Sequence, residues 1–399
     1  MEKEKKYTIP LFKVYMSKKA PKVVTKVLES GFIGQGPVVD QFEGKLRDFF
    51  NNDYVATVNS ATSGEHLALH LLKKPATFKK GYESVAYYNS NWPGLEDGDE
   101  VLSTPLTCTA TNFPILANNL KIKWVDIDPK TLNMDLDDLA RKITPKTKII
   151  FLVHWGGYPV DLDKLKKIQE DALRMYGFKP AIIEDCAHAL GSKFNGKNIG
   201  SHGNICTFSF QAIKHLTSVD GGALLLPHKE LYNRAKLLRW YGIDRESDRK
   251  DFRCEADIPE WGFKFHMNDV SASIGMTNLS EVEKNVIDIH KKNGHYYDKN
   301  LKNVKGITLL ERDSRMDSSF WIYSLLVEDK DNFTRYMKEC GIATSQVHER
   351  NDIHSCLSEF RSQLPNLDNI KGKLTAIPVG WWVGKEEREY IVECIKKGW

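Results

Sequence analysis

Over the first 250 residues, short apolar runs alternate with amphipathic stretches, and beyond them the texture changes. Residues 23–28 read as helix; Gly31, Gly34, Gly36 and Pro37 interrupt it before a second helical run over 38–50. Residues 54–58, 100–103 and 122–125 read as short strands, and 148–153 and 181–183 are brief apolar runs in the form expected of strands buried on both faces. Helical patterns at 64–72 and 161–176 separate them, and 205–210 reads as a further strand. The alternation predicts a doubly wound α/β domain over residues 1–250 with a mostly parallel sheet. Residues 251–399 read as a smaller C-terminal α+β domain: a long polar helical stretch at 268–301, a strand at 322–327, and helices running to Trp399. Residues 74–93, with Tyr87, Tyr88 and Trp92, lack periodicity and read as a surface loop or insertion.

Composition narrows the class of partner. Lysine plus arginine (57) against aspartate plus glutamate (53) leaves a net charge of +4, which supports neither a nucleic-acid footprint nor an acidic disordered tail. A small molecule is the expected partner. No apolar stretch reaches the ~20 residues of a membrane span, and the opening Met-Glu-Lys-Glu-Lys-Lys has no apolar signal core. A cytoplasmic location without a membrane partner is therefore expected. Seven cysteines (Cys108, Cys186, Cys206, Cys254, Cys340, Cys356, Cys394), with no C-x-x-C pair, point to free thiols rather than a disulfide framework or thiolate zinc site.

Three motifs suggest other chemistry and fail on context. Gly191 to Asn198 nearly matches a phosphate-binding P-loop, but Asn198 stands where a hydroxyl should bind magnesium, and Asn195-Gly196 between short alternating runs signals a hairpin. Gly34-Gln-Gly36 lacks the third glycine of a dinucleotide fingerprint and follows a helix. His66 and His70 have the spacing of a zinc pair, but Glu65 precedes the first histidine, so no metalloprotease signature results and no metal is expected.

Four other pieces fit one chemistry when taken together. A buried strand runs into Glu184-Asp185-Cys-Ala-His188, placing an acid at a carboxyl strand end, where ligands of α/β sheets bind. Taken alone, Asp185 reads equally as the cap of the next turn. Ile205-Cys-Thr-Phe-Ser209-Phe210 delivers Lys214 between apolar strands, where burial depresses an amine's pKa and makes it nucleophilic. Asn59-Ser60-Ala61-Thr62-Ser63-Gly64 opens a helix with small and hydroxyl residues, an anion site or a plain N-cap. Ser209 offers a further hydroxyl to the same anion. A buried acid, a covalent lysine and a phosphate cup are the three anchors that pyridoxal 5'-phosphate requires.

At these residues the sequence resembles the DegT/DnrJ/StrS family of nucleotide-sugar aminotransferases. Gly34-x-Gly36-Pro37-x-Val39-x-x-Phe42-Glu43, Asn59-Ser-Ala-Thr-Ser-Gly64, Gly98-Asp-Glu-Val101, His154-x-x-Gly157-x-Pro159-x-Asp161, Glu184-Asp-Cys-Ala-His-Ala-Leu-Gly191, Phe208-Ser-Phe-Gln-Ala-Ile-Lys214 and Asp220-Gly-Gly222 follow in the family's order. The resemblance implies the aspartate-aminotransferase-like fold type I architecture and a homodimer with shared active sites. It implies glutamate as amino donor, a nucleotide-linked keto sugar as acceptor, and pyridoxamine phosphate as the cofactor form of the second half-reaction. Lys214 would anchor the cofactor and move the proton, and Asp185 would hold the pyridine nitrogen protonated. Thr62, Ser63, Ser209 and Gln211 would lie on the phosphate side, with His188 over or beside the ring. Gly262-Phe-Lys264-Phe-His266-Met267 resembles the segment that reaches the other subunit's phosphate, with Lys264 where many members have asparagine.

The resemblance also places sugar contacts at Gly34, His154, Tyr158, Tyr241 and His348. Cys108 stands where an aromatic often stacks on the cofactor, and residues 74–93 look inserted, their aromatics expected to rim the substrate entrance or thicken the dimer surface. Two rivals remain at this point. A sugar dehydratase of the same family has histidine in place of the lysine, and His215 is one residue away. A non-catalytic binding protein would keep the fold without a proton-transferring lysine.

Overall fold

The computed structural model describes residues 8–73, 92–246, 251 and 257–399. The first helix, α1 (Ala20–Ser30), is followed by α2 (Pro37–Phe50). The glycines between them serve this helix start. Asp269 accepts hydrogen bonds from the amides of Gly36 (2.8 Å) and Val39 (3.1 Å), and a Cβ on Gly36 would lie 2.8 Å from the Asp269 carboxylate. Gly34-Gln-Gly36 is thus a capped turn.

The strands in chain order are β1 (Val55–Val58), β2 (Glu100–Ser103), β3 (Lys121–Trp124), β4 (Thr147–Val153), β5 (Ala181–Asp185), β6 (Lys193–Phe194), β7 (Lys197–Asn198), β8 (Ile205–Ser209) and β9 (Gly222–Leu225). Seven of them form one sheet in the order β1-β9-β8-β5-β4-β2-β3, in which β9 alone runs antiparallel. Side chains alternate between two apolar layers: Ile149 and Phe151 enter one, Ile150 and Leu152 the other. This two-sided burial is why these strands read as continuous apolar runs. β6 and β7 form the expected hairpin, with Asn195 and Gly196 both at positive φ (48° and 76°).

A second sheet is antiparallel, and β10 (Ile307–Leu309), β12 (Tyr323–Val327) and β13 (Leu374–Ile377) build it around a third apolar cluster that includes Tyr297, Phe320 and Phe333. β11 (Met316–Asp317) pairs instead with β6. The 268–301 stretch is helical but not uniform. Asp269–Val282 and Asp288–Asn300 are joined by a wider π turn, Glu283–Ile287.

Of the 74–93 segment, residues 74–91 lie outside the described residues. Trp92 is not at a rim: it is buried in the main core with its indole N–H directed at the Leu72 carbonyl. Among the described residues, no helix is long and apolar enough to cross a membrane, and the six described cysteines are free.

Candidate active site

The parallel strands deliver the chemistry at their carboxyl ends. β5 ends on Asp185 and its neighbour β8 ends on Ser209, five residues before Lys214. β1 leads into Ser60, the cap of α3 (Ala61–Leu71), and β2 leads through Thr107 and Cys108 into α4 (Thr109–Ala117). Helix starts and strand ends therefore converge on one edge of the sheet.

Lys214 Nζ lies 3.7 Å from the centroid of the Trp321 ring. The indole stacks on His188 at 3.8 Å and 15°, and its N–H donates to the Ile213 carbonyl at 3.0 Å. Burial pulls the Lys214 amine down to about 8, opposed first by the charge of Asp185. Roughly one amine in ten is then unprotonated at pH 7, against fewer than one in a thousand for an exposed lysine. His188 and His348 have parallel rings 5.7 Å apart. Burial, then the Lys214 charge, pushes both imidazoles down, His348 to about 4, so at neutral pH they face the amine uncharged.

Asp185 is buried and held on both sides. Thr111 Oγ1 donates to Oδ2 at 2.7 Å, the Ala187 amide donates to Oδ1 at 2.9 Å, and Thr107 lies 2.8 Å behind Thr111. The carboxyl stands at the strand end, and it also caps its own turn through the Ala187 amide.

The Ser60 hydroxyl accepts the Ser63 amide at 3.1 Å and lies 2.9 Å from the Ser63 hydroxyl. First-turn amides of a helix have no intrahelical carbonyl to reach, so this end of α3 presents donors and the positive end of its dipole. Thr62 is exposed on the same turn. Gly222 pairs with both Val58 and Ser209, and a Cβ there would lie 2.7 Å from the Ala61 nitrogen and from the Phe208 carbonyl. Only glycine lets the Ser209 strand end approach the cup this closely. Ser209 Oγ accepts the Gln211 amide (3.3 Å) and Gln211 Oε1 accepts the Ile213 amide (3.0 Å), so both shape the turn that carries Lys214. Lys264 is exposed, and its carbonyl takes the Asn59 side-chain amide at 3.2 Å.

Two expected sugar contacts are displaced. His154 is fully buried, with Nδ1 accepting the Val160 amide (3.0 Å), which assigns the proton to Nε2, 2.7 Å from Glu184. Neither nitrogen is left for a sugar. Burial raises the Glu184 carboxyl, but the His154 and Asn204 hydrogen bonds outweigh it and hold it below the ordinary value. Glu184→Ala strands the His154 N–H in the core and is expected to cost about 3 kcal/mol, read as a lower midpoint in urea unfolding.

Tyr158 is buried too, its hydroxyl accepting the Asp313 amide at 2.7 Å in a pocket with Asp128, Arg312 and Arg315 that does not include Lys214. Tyr241 is exposed at positive φ (59°). Gly34 lines a pocket with Phe32, Trp240 and Arg245, and its carbonyl accepts the Asp269 amide. His66 and His70 pack edge-on against Phe263, with His70 3.6 Å from Glu260.

His215 does not compete with Lys214. It is buried, with Nε2 3.1 Å from the Ser319 carbonyl and its ring 4.6 Å from His290. Sequence reasoning overlooked Trp321, Glu65 and Thr111 as parts of this site. Thr111 lies one turn after Thr107 on a helix with no apolar stripe; Trp321 gave no local signal, because its role comes only from the second sheet packing back on the first.

The chain is similar to AtS13 from Actinomadura melliaura, with 48% identity and a TM-score of 0.91 over 98% of this chain and 99% of that one. It is also similar to the sugar aminotransferase CalS13 from Micromonospora echinospora, with 43% identity and a TM-score of 0.89 over 98% and 100% of the two chains. The spore coat polysaccharide biosynthesis protein SpsC of Bacillus subtilis is 26% identical, covering 98% of this chain and 96% of that protein. The model of the DegT/DnrJ/EryC1/StrS aminotransferase family matches residues 15–396. With that match spanning nearly its whole length, the chain belongs to the DegT/DnrJ/EryC1/StrS aminotransferase family.

Proposed function

We propose that the protein transfers an amino group from glutamate to a nucleotide-linked keto sugar, a 4-keto-6-deoxyhexose, using pyridoxal 5'-phosphate held through Lys214. The product would feed dideoxy-amino sugar or surface-glycan synthesis. The observation that carries this reading is a buried lysine amine 3.7 Å from the Trp321 ring, on the turn after β8, with a carboxyl held by Thr111 at the end of the neighbouring strand β5. The residues fit the cofactor: the Ser60–Ser63 turn and Ser209 offer hydroxyls for its phosphate, and the Gly222 approach keeps them together.

When bound, pyridoxal phosphate supplies a carbonyl that takes up the donor's amine as pyridoxamine phosphate, and a ring that draws electrons from the neighbouring carbon. Asp185 would accept a hydrogen bond from the ring nitrogen and favour its protonated form. The α3 terminus and the Ser63 and Ser209 hydroxyls would hold the phosphate. Lys214 Nζ takes the proton from the donor's α-carbon and, in the second half-reaction, delivers one to the sugar carbon that receives the amine. Uncharged His188 and His348 line this space without competing for Asp185.

Phe32, Ile33, Tyr241 and Trp261 are exposed large apolar side chains, surface that a second copy of the chain would cover in a homodimer. In that dimer Lys264 would serve the phosphate of the other subunit.

The reading is tested by following 2-oxoglutarate formation from glutamate with a panel of nucleotide-linked keto sugars; turnover with none of them contradicts it. Two further outcomes are expected. The rate at which the apoprotein takes up pyridoxal phosphate rises with pH through about 8, where Lys214 loses its proton, and levels above it. Stopped-flow absorbance checks this; a rise centred near the ordinary lysine value of 10.5 contradicts it. Gly222→Ala pushes the cup and Ser209 apart and is expected to weaken cofactor binding about tenfold, measured by equilibrium titration.

A further inference from the structure

A second carboxyl is buried beside Asp185, and the mechanism above does not use it. Glu65 lies on α3, just after the turn that forms the phosphate cup, and is 1% exposed. Thr207 Oγ1 approaches its Oε1 at 3.5 Å, and Oε2 receives no hydrogen bond. The side chain is within hydrogen-bonding reach of Asp185.

The groups facing Glu65 come from β5, from the start of α4, and from β8 and the turn after it. Asp185 ends β5, Cys108 precedes α4, Thr207 belongs to β8, and Lys214 follows β8. Asp185 already accepts from Thr111 and from the Ala187 amide, one donor on each oxygen. Asp185 is therefore the acceptor of the pair, and a carboxylate at Glu65 would be a second buried negative charge against it with one oxygen unsatisfied. Burial first, and the Asp185 charge second, push the Glu65 carboxyl well above its ordinary value. A carboxyl that keeps its proton resolves both problems: the orphan oxygen becomes a donor, and Asp185 is the group it can reach.

We propose that Glu65 is a positioning residue, a protonated carboxyl that donates a hydrogen bond to Asp185 and so keeps the proton of the facing ring nitrogen on the ring rather than on Asp185. The proposal rests on the pyridoxal phosphate reading of the site. A donor to Asp185 stabilises its anionic form and makes it a weaker base, which is the property the ring partner needs. It also fixes the carboxyl plane together with Thr111 and Ala187.

Two variants and one spectroscopic readout test it. Glu65→Gln keeps a donor of similar shape; Glu65→Leu keeps the volume and removes the donor. Isotope-edited infrared spectra of the wild-type apoprotein at pH 7 are expected to show the C=O stretch of a protonated, hydrogen-bonded carboxylic acid, and Glu65→Gln is expected to lose that band. This readout is independent of cofactor and turnover. In the holoprotein, Glu65→Leu is expected to raise the dissociation constant for pyridoxal phosphate about tenfold, with Glu65→Gln within about twofold of wild type.

Absence of the band in wild type, its persistence in Glu65→Gln, or equal affinity of wild type and Glu65→Leu overturns the role of Glu65. Circular dichroism melts of both variants identify a folding defect; if Glu65→Leu unfolds, the infrared band and Glu65→Gln decide the matter. Failure of wild type itself to bind pyridoxal phosphate is a different result: it defeats the reading of the site and leaves the Glu65 proton to the infrared band.

Discussion

Lys214→Ala is expected to abolish measurable aminotransfer, lowering turnover about 10⁴-fold or more. The substitution removes one atom that does two things: it holds the cofactor covalently and it carries the proton at each reacting carbon. His188 and His348 cannot replace it, because burial makes both imidazoles weak proton acceptors and neither is joined to the strand end that presents the amine. Arginine at 214 restores charge without a nucleophile and is expected to be equally inactive. The fold should survive. Burying the Lys214 amine costs solvation that the charge of Asp185 offsets only in part, so truncating it relieves that cost, and the thermal midpoint of the apoprotein is expected to stay within a few degrees of wild type. Steady-state assays with the best sugar of the panel, run beside melting curves, separate loss of chemistry from loss of structure.

Asp185→Asn is expected to lower turnover about 10²- to 10³-fold while leaving the geometry in place. An asparagine can still accept from the Ala187 amide and can turn its NH₂ toward the Thr111 hydroxyl, which then accepts. What is lost is the negative charge opposite the ring nitrogen. The loss should fall on kcat more than on KM, because the charge is needed when electrons move into the ring rather than when the sugar binds. Equal activity of Asp185→Asn and wild type would show that the acid only shapes its turn.

How much of this was legible in the sequence depends on whether a feature is local. β2 was legible to the residue, and β4 and β5 to within two, because strands buried on both faces read as continuous apolar runs; the residues missed, Thr147 and Glu184-Asp185, are polar ones at the strand ends. α4 was not seen. It carries Pro114 and a Thr-Ala-Thr-Asn-Phe start, with no apolar stripe to mark a helix, yet Thr111 on it holds Asp185. α3 begins at Ala61 rather than at Gly64, since the hydroxyl cap at Ser60 sets the start and the apolar period shows only later. The π turn at Glu283–Ile287 was invisible because a widened turn barely disturbs helical spacing.

The site divides the same way. Lys214, Asp185, His188 and Ser63 stand at strand or helix ends that the pattern itself locates, and the structure brings them to one edge of the sheet. His154 and Tyr158 occupy matching positions in the motif but are turned inward, His154 onto Glu184 and Tyr158 onto the Asp313 amide. Motif position locates a residue along the chain; burial decides which way it faces. Trp321 and Glu65 carry the opposite lesson. Trp321 reads as ordinary core material and reaches Lys214 only because the second sheet packs back on the first, whereas Glu65 sits just past the phosphate turn and only its burial beside Asp185 marks it.

The most direct test of the central claim is chemical. The wild-type protein loaded with pyridoxal phosphate should show a visible absorption band, and borohydride should bleach it while fixing the cofactor to one side chain. Mass spectrometry of the digested product is predicted to find the added pyridoxyl phosphate on Lys214 alone. Attachment at another lysine, or an unmodified Lys214 after the band has been bleached, would contradict the account.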